Sequence, residues 1–279
     1  MKFNLEIDDR YLIAAFFTIT LLIAVLIIST FNSIHRVFYG KLKNFKYSEH
    51  VVLITGCDTG FGLMMAAQYS KMGFFVIACS YSESSVTSLK GKVGLALKMD
   101  VTKQSDIDAA YAEVNKLLKD RRELTFFALI NNAGIAPAGC VDWLQLDAFR
   151  RTMEVNYFGL IMVTKAFLPL LKTTKGSRII NLSSVAGHVA SFAFGAYSGS
   201  KHALEGYAKA LRTELQPWDI FVCNVNPSFM KTPILQNNFE LALKEFQKAP
   251  QDIQDQYDVS QFQTLIEQVS SEIIALVIF

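Results

Sequence analysis

The chain has no surplus of charge of either sign: 27 Lys and Arg stand against 25 Asp and Glu, a net charge of +2. A balance this close to neutrality leaves no electrostatic footprint for nucleic acid, and no nucleic-acid partner is expected. Cysteine is sparse. Cys57, Cys79, Cys140 and Cys223 are scattered at spacings that fit no metal-ligand pattern, so no metal is expected and the four read as small buried thiols. Internal repeats and low-complexity tracts are missing, which sets aside repeat architectures. At 279 residues the chain has room for one large α/β domain and an anchor, but not for two full domains.

Charge is absent altogether from Tyr11 to Phe31 (YLIAAFFTITLLIAVLIISTF), a run long enough to cross a bilayer as a helix. A cleaved signal peptide has a shorter apolar region followed by a small-residue cleavage site, and no such site follows here. Glu6, Asp8 and Asp9 offset Lys2 and Arg10 upstream, whereas Arg36, Lys41, Lys43 and Lys46 precede the next acid, Glu49. The positive flank favours the cytosol. We therefore expect an N-terminal segment 1–31 with a transmembrane helix at about 11–31, a basic linker 32–48, and a cytosolic catalytic domain 49–279.

Within that domain apolar strand patterns alternate with helical ones. Strands are expected at 51–55, 74–79, 93–98, 126–130, 177–182 and 220–225, and helices at 60–73, 83–90, 104–120, 147–172 and 196–215. This βαβ alternation predicts an α/β fold, a doubly wound parallel sheet with helices on both faces. Beyond Pro233 the pattern changes. Glutamines crowd 247–268 in a weakly helical stretch, and the chain ends on Ile273-Ile274-Ala275-Leu276-Val277-Ile278-Phe279, too short to span a membrane.

Tyr197 and Lys201 lie four apart on the helix expected at 196–215, so they share a face. A free tyrosine has a pKa of about 10, and a nearby cation favours the phenolate and lowers that value toward the working range. Upstream, Val51–Ile54 runs into Thr55-Gly56-Cys57-Asp58-Thr59-Gly60-Phe61-Gly62, a strand, a glycine turn and the start of a helix. Such glycines permit a tight turn and close approach of a pyrophosphate, to which the helix N-terminus offers amide donors. Asn131-Asn132-Ala133-Gly134 closes another strand with amides and small residues suited to a cofactor cleft, or to a polar turn. Ser183 and Ser184 end a third strand, and Asn156 is a polar residue in mid-helix.

Together these motifs resemble the short-chain dehydrogenase/reductase family from about Val51 to Pro233. The wording of Gly56–Gly62, Lys165–Leu171 and Leu211-Arg212-Thr213-Glu214-Leu215 is similar to its retinol, hydroxysteroid and 3-hydroxybutyrate dehydrogenases. The resemblance implies a Rossmann-type sheet and hydride exchange between a nicotinamide and an alcohol. It implies Tyr197 as general acid/base, Lys201 lowering its pKa and bonding the nicotinamide ribose, Ser184 donating to the reacting oxygen, and Asn156 positioning a water. Ser184 rather than Ser183 takes the catalytic place. The implied cofactor contacts are Thr55, Gly56, Asp58, Gly60, Phe61, Gly62, Asp100, Asn131, Ala133, Gly134, Tyr197, Lys201, Pro227 and Thr232. The subgroup ordinarily continues for some tens of residues past this chain's end, so a shortened C-terminus is expected.

NAD is favoured over NADP. Ser80 occupies the position where an acid or an arginine usually discriminates, but no Lys or Arg lies at 57–59 or 74–89. Asp58 would repel a 2′-phosphate, or else serves only the turn. Val185, Val189, Phe192 and Phe194 suit a lipophilic alcohol of retinoid or steroid type, or else pack the core. Two alternatives stay open: a hydroxybutyrate-type enzyme with His188 as carboxylate partner, and a non-catalytic membrane scaffold. A homo-oligomer is compatible with either. The resemblance points to the endoplasmic reticulum, with a mitochondrial membrane as the alternative.

Overall fold

A computed structural model describes residues 45–190, 192–228 and 238–258. The Tyr11–Phe31 run, Thr232 and the Ile273–Phe279 tail lie outside them. Six strands form one sheet: β1 (His50–Thr55), β2 (Phe75–Ser80), β3 (Leu95–Lys98), β4 (Thr125–Asn131), β5 (Arg178–Leu182) and β6 (Phe221–Val225). Their order is β3-β2-β1-β4-β5-β6 and every pairing is parallel. The strand order reverses between β1 and β4, so a crevice opens at their carboxyl ends.

Alternation within β1 shows why the strand is apolar throughout. Val51 and Leu53 join a core built with Ile107 and Val114 of α3 (Gln104–Asp120), Val163 and Phe167 of α5 (Leu160–Lys172), and Leu211 of α6 (Gly195–Glu214). Val52 and Ile54 face the other way, with Ala66 of α1 (Gly60–Lys71) and Leu89 of α2 (Glu83–Leu89). A central parallel strand has no solvent face, so neither parity can be polar. Phe126 and Phe167 stack at 5.5 Å in the first of these cores, and both are almost wholly buried.

The helix expected at 147–172 is interrupted. It divides into α4 (Leu146–Met153), a π-helical turn (Glu154–Gly159) and α5. Asn156 sits in the π turn, where its amide is committed to partners outside the helix, a common setting for such a turn. Among the described residues Leu146–Lys172 is also the one helical run apolar and long enough to cross a membrane. Leu160, Val163, Phe167 and Leu171 are buried against the sheet, so it reads as a core helix.

Past β6 the described chain resumes with α7 (Asn238–Phe246) and α8 (Gln251–Gln254). Ala242, Phe246 and Ala249 pack on Ala138, Trp143, Leu144 and Phe194, a third apolar cluster beside the crevice. Trp143 meets Phe246 edge-on at 5.4 Å, and the Tyr257 hydroxyl donates to Asp142 Oδ2 (3.0 Å).

Candidate active site

The glycine turn between β1 and α1 is shaped by contacts that admit no side chain. Gly56 (φ 70°) and Gly60 (φ 58°) adopt left-handed backbone. A Cβ on Gly62 would lie 2.1 Å from the Gly56 carbonyl oxygen, and one on Gly56 would lie 2.7 Å from the Ala133 Cα. Thr59 precedes α1 without a side-chain cap bond, so no cap side chain takes up the first amides of the helix. Gly56, Gly60, Phe61, Ala133 and Gly134 line it, together with Asp58, Asp100 and Pro227.

Three expected cofactor residues act from behind this lining. The Thr55 hydroxyl accepts the amide N–H groups of Asn132 (3.0 Å) and Ala133 (3.1 Å), tying the ends of β1 and β4 together. Gly62 is a packing position. Asn131 is the clearest correction: its side chain is buried and donates to Thr164 Oγ1 and Asn181 Oδ1, both at 3.0 Å. Asn181 donates in turn to Asn224 Oδ1 (3.1 Å), so an amide ladder crosses β4, β5 and β6. Strand parity turns Asn131 inward, and Asn132, whose amide also bonds the Thr55 and Gly56 carbonyls, borders the crevice instead.

Asp58 is clamped rather than free. Its carboxylate accepts the Tyr81 amide (2.8 Å) and both the amide and hydroxyl of Ser82 (2.9 Å each). Burial pushes its pKa up, but these bonds outweigh that and hold it below the ordinary carboxylate value. Ser80 is fully buried and does not reach the crevice, where exposed Tyr81 stands instead. Asp100 accepts from the Thr102 amide (3.0 Å) and hydroxyl (2.7 Å), closing the turn after β3.

At the other end of the crevice, Ser184, Tyr197 and Lys201 come together. Ser184 caps a short 3-10 turn (Val185–Gly187), its oxygen accepting the Ala186 amide (3.1 Å). Tyr197 and Lys201 lie one turn apart on α6, with the ammonium 5.5 Å from the centre of the tyrosine ring. Lys201 is buried and donates to the Leu182 carbonyl oxygen (2.6 Å). Burial lowers its pKa to about 8, with the Glu205 carboxylate pulling in the opposite direction.

The phenol departs from the sequence expectation. Burial raises the Tyr197 pKa above its ordinary value, and the opposing influence is a hydrogen bond with Ser184 rather than the Lys201 charge. The reason is geometric: the ammonium is drawn toward the end of β5, while the ring is packed beside Phe194 (6.4 Å). Asn156 also differs. Its amide oxygen accepts the Ile135 N–H (2.8 Å), and its nitrogen donates to the Ile135 carbonyl (2.8 Å) and Ser200 Oγ (3.0 Å). Its side chain fastens the loop after Gly134 to α6 and does not border the crevice.

The loop from Val185 to Phe194 divides in the same way. Val185 and Phe194 line the crevice, whereas Val189 (63%) and Phe192 (54%) are exposed and do not. Its last turn is strained, with Ala193 at φ 60° and its carbonyl accepting the Gly139 amide (2.7 Å). His188 stands beside Asn226 and Glu205 and is not one of the residues lining the crevice. The four thiols are unpaired, and burial pushes the Cys57 pKa up to about 12. No cluster of metal ligands occurs among the described residues. Sequence reasoning placed Asn132 in a motif suited to the cleft without naming it as a contact, and passed over Tyr81 and α7, whose Leu241 and Lys244 border the crevice. Strand parity would have found the first two. No short motif marks the third.

The crevice measures about 1920 Å³, well above the few hundred to ~1,000 Å³ of an ordinary small-molecule site, and suits a dinucleotide with a second molecule. Its glycine cradle, uncapped helix start and parallel-sheet switch point fit a nicotinamide dinucleotide, a hydride donor or acceptor when bound. Fold and site thus define a Rossmann-type oxidoreductase.

The sequence pattern of the short chain dehydrogenase family matches residues 50–242, and the chain belongs to that family. It is 38% identical over 229 residues to human "Dehydrogenase/reductase SDR family member 9", covering 78% of this chain and 69% of that protein. It is 34% identical to human "17-beta-hydroxysteroid dehydrogenase type 6" (77% and 68% covered) and 36% identical to mouse "Retinol dehydrogenase 5" (75% and 66%). These likenesses set it in the retinol and hydroxysteroid subgroup, as an NAD(P)-dependent oxidoreductase. Among solved structures it is similar to the 3-ketoacyl-(acyl-carrier-protein) reductase of Brucella melitensis complexed with NADH (TM-score 0.61, 28% identity, 68% and 79% covered). It is also similar to a short-chain dehydrogenase of Streptomyces avermitilis (TM-score 0.60, 29% identity, 67% and 68% covered).

Proposed function

We propose that the protein is a membrane-anchored, NAD-preferring oxidoreductase that interconverts a lipophilic secondary or allylic alcohol, of retinoid or steroid type, with its carbonyl. The observation that carries this reading is the meeting of Ser184, Tyr197 and Lys201 in one crevice with the glycine cradle, where Phe194 and Leu241 add apolar lining. Tyr197 exchanges the proton with the substrate oxygen. Its raised pKa keeps it a phenol at neutral pH, the form that donates to a carbonyl. Ser184 donates a hydrogen bond to the same oxygen, and the Lys201 charge favours the phenolate left after transfer. Asn156 keeps the Ile135 loop on α6 and so sets the wall beside the cofactor.

The NAD preference rests on Asp58. Its clamped carboxylate fixes a negative charge beside the end of β2, with no cation in 74–89 to offset it. The remaining contacts proposed for the cofactor include Asp100, Pro227 and Thr232. The anchor rests on Tyr11–Phe31 and the basic linker 32–48 ahead of the catalytic domain. Detergent-solubilised protein assayed with NAD and NADP against retinol, steroid alcohols and 3-hydroxybutyrate tests the chemistry. Turnover restricted to hydroxybutyrate would sink the lipophilic reading, and no turnover of any alcohol would favour a scaffold. Retention after alkaline carbonate washing, with protease reaching the domain in sealed microsomes, tests the anchor and its cytosolic orientation.

A further inference from the structure

Lys201 is not the last residue on its face of α6. Positions 197, 201 and 205 recur every four residues, which places Glu205 one turn beyond the lysine. Glu205 is 9% exposed, an unusual depth for a carboxylate outside a metal site. It is held there from two other elements. With its amide oxygen toward His188 Nε2 (2.8 Å), Asn226 donates to Glu205 Oε1 (3.0 Å) and to the Val225 carbonyl (3.2 Å). His188 Nε2 itself stands 3.8 Å from Glu205 Oε1. The 3-10 turn that follows Ser184 lies directly on this stretch of helix: a Cβ on Gly187 would meet the Lys201 carbonyl oxygen at 3.0 Å and the Glu205 Cγ at 3.1 Å.

We propose that Glu205 is a positioning residue for the reaction: its buried carboxylate, tied down by Asn226 and His188, keeps the neighbouring Lys201 in its ammonium form. The inference rests on the roles proposed above for Tyr197 and Lys201. A buried ammonium with one carbonyl partner is poorly solvated and tends to lose its proton, and a fixed anion nearby opposes that loss. The groups facing the pair leave this task to Glu205. The 3-10 turn brings His188, the end of β6 brings neutral Asn226, and the π turn brings neutral Asn156 through Ser200. On the same helix face Tyr197 lies one turn before Lys201, and the exposed Lys209 lies one turn beyond Glu205. Among the described residues, the Glu205 carboxylate is the charge that opposes the effect of burial on Lys201.

The full-length protein in detergent tests this with Glu205→Gln, which removes the charge and preserves most of the shape. The titration of Lys201 is followed in protein labelled with 13C at lysine Cε, its signal assigned by loss in Lys201→Arg. In parallel, kcat/KM for carbonyl reduction is measured against pH. Glu205→Gln should move the lysine midpoint and the alkaline limb of kcat/KM down together by at least about half a pH unit, a threefold change in proton concentration. A lower rate with both midpoints unmoved would mean a merely structural residue and overturn the proposal. If Glu205→Gln does not fold, Asn226→Ala, which frees the carboxylate, should produce a smaller shift of the same sign, and no shift overturns it. A parent without turnover would count against the oxidoreductase reading, while the lysine titration would still decide the role of Glu205.

Discussion

The two ends of the crevice are made of different material. The cofactor end, at β1, β2 and β4, is shaped by main chain: left-handed glycines, the Thr55 hydroxyl stapling two strands, and Asp58 saturated by neighbouring amides. The catalytic end, at β5 and α6, is shaped by side chains taken out of water, with Lys201 and Tyr197 both displaced from their ordinary pKa values. At the first end a substitution acts by steric intrusion, or at Asp58 by charge, and changes binding. At the second, on the roles proposed for Tyr197 and Lys201, it acts by removing a proton carrier or a charge and changes rate.

The sharpest way to break this contrast is Tyr197→Phe. We expect turnover to fall by about 100-fold or more, since general acid/base catalysis contributes ~10²–10⁴-fold, with NADH binding by fluorescence little changed. A variant retaining more than about a tenth of the rate would remove the proton-transfer role.

Gly62→Ala probes the opposite end. The added methyl, 2.1 Å from the Gly56 oxygen, must displace the turn. NADH affinity should drop about tenfold or more, with a loss of ~1–3 kcal/mol in stability from overpacking. If affinity stays at the parental value, close backbone approach is not what builds the cofactor end.

The pH profile comes next in size. Lys201 is protonated below about 8 and loses its ammonium as pH rises through that value. Because Tyr197 titrates above its ordinary value, it remains a phenol over the same range. For carbonyl reduction kcat/KM should therefore be flat near neutrality and decline above about 8, approaching tenfold per pH unit. A profile flat through pH 9 would mean that the lysine charge is not required.

The smallest effect belongs to Asp58→Arg. Losing the anion and gaining a cation should move the NAD-to-NADP ratio of kcat/KM toward NADP by about tenfold, ~1.4 kcal/mol. An unchanged ratio would reduce Asp58 to a clamp on the β2 end.

The same contrast explains what could be read from sequence. The strands were legible because a sheet covered on both faces demands continuous apolar runs, as Val51–Ile54 shows. The Tyr197–Lys201 pair and the glycine turn were legible because both depend on local spacing. Three things depended on distant partners and were not. The break at Glu154–Gly159 accompanies the bonding of Asn156 to Ile135, a contact that helical periodicity does not encode. The inward turn of Asn131 follows from sheet parity, which brings it to Asn181 on β5 and Thr164 on α5. The phenol's upward shift reflects burial beneath Phe194, which outweighs the expected effect of the lysine.

The amide ladder has a consequence for assembly. Asn131, Asn181 and Asn224 sit opposite one another in the pairings of β4 with β5 and β5 with β6. A slip of one residue in either pairing would push an amide into hydrocarbon and leave its neighbour facing an apolar side chain, so misaligned sheets lose both bonds at once. Parallel strands meet only after long stretches of chain have been drawn together, when many near-equivalent alignments compete. Three aligned amides, two of them buried, act there as a key that fits one alignment, and in closing they set the height at which Asn132 and Ser183–Ser184 emerge from the sheet.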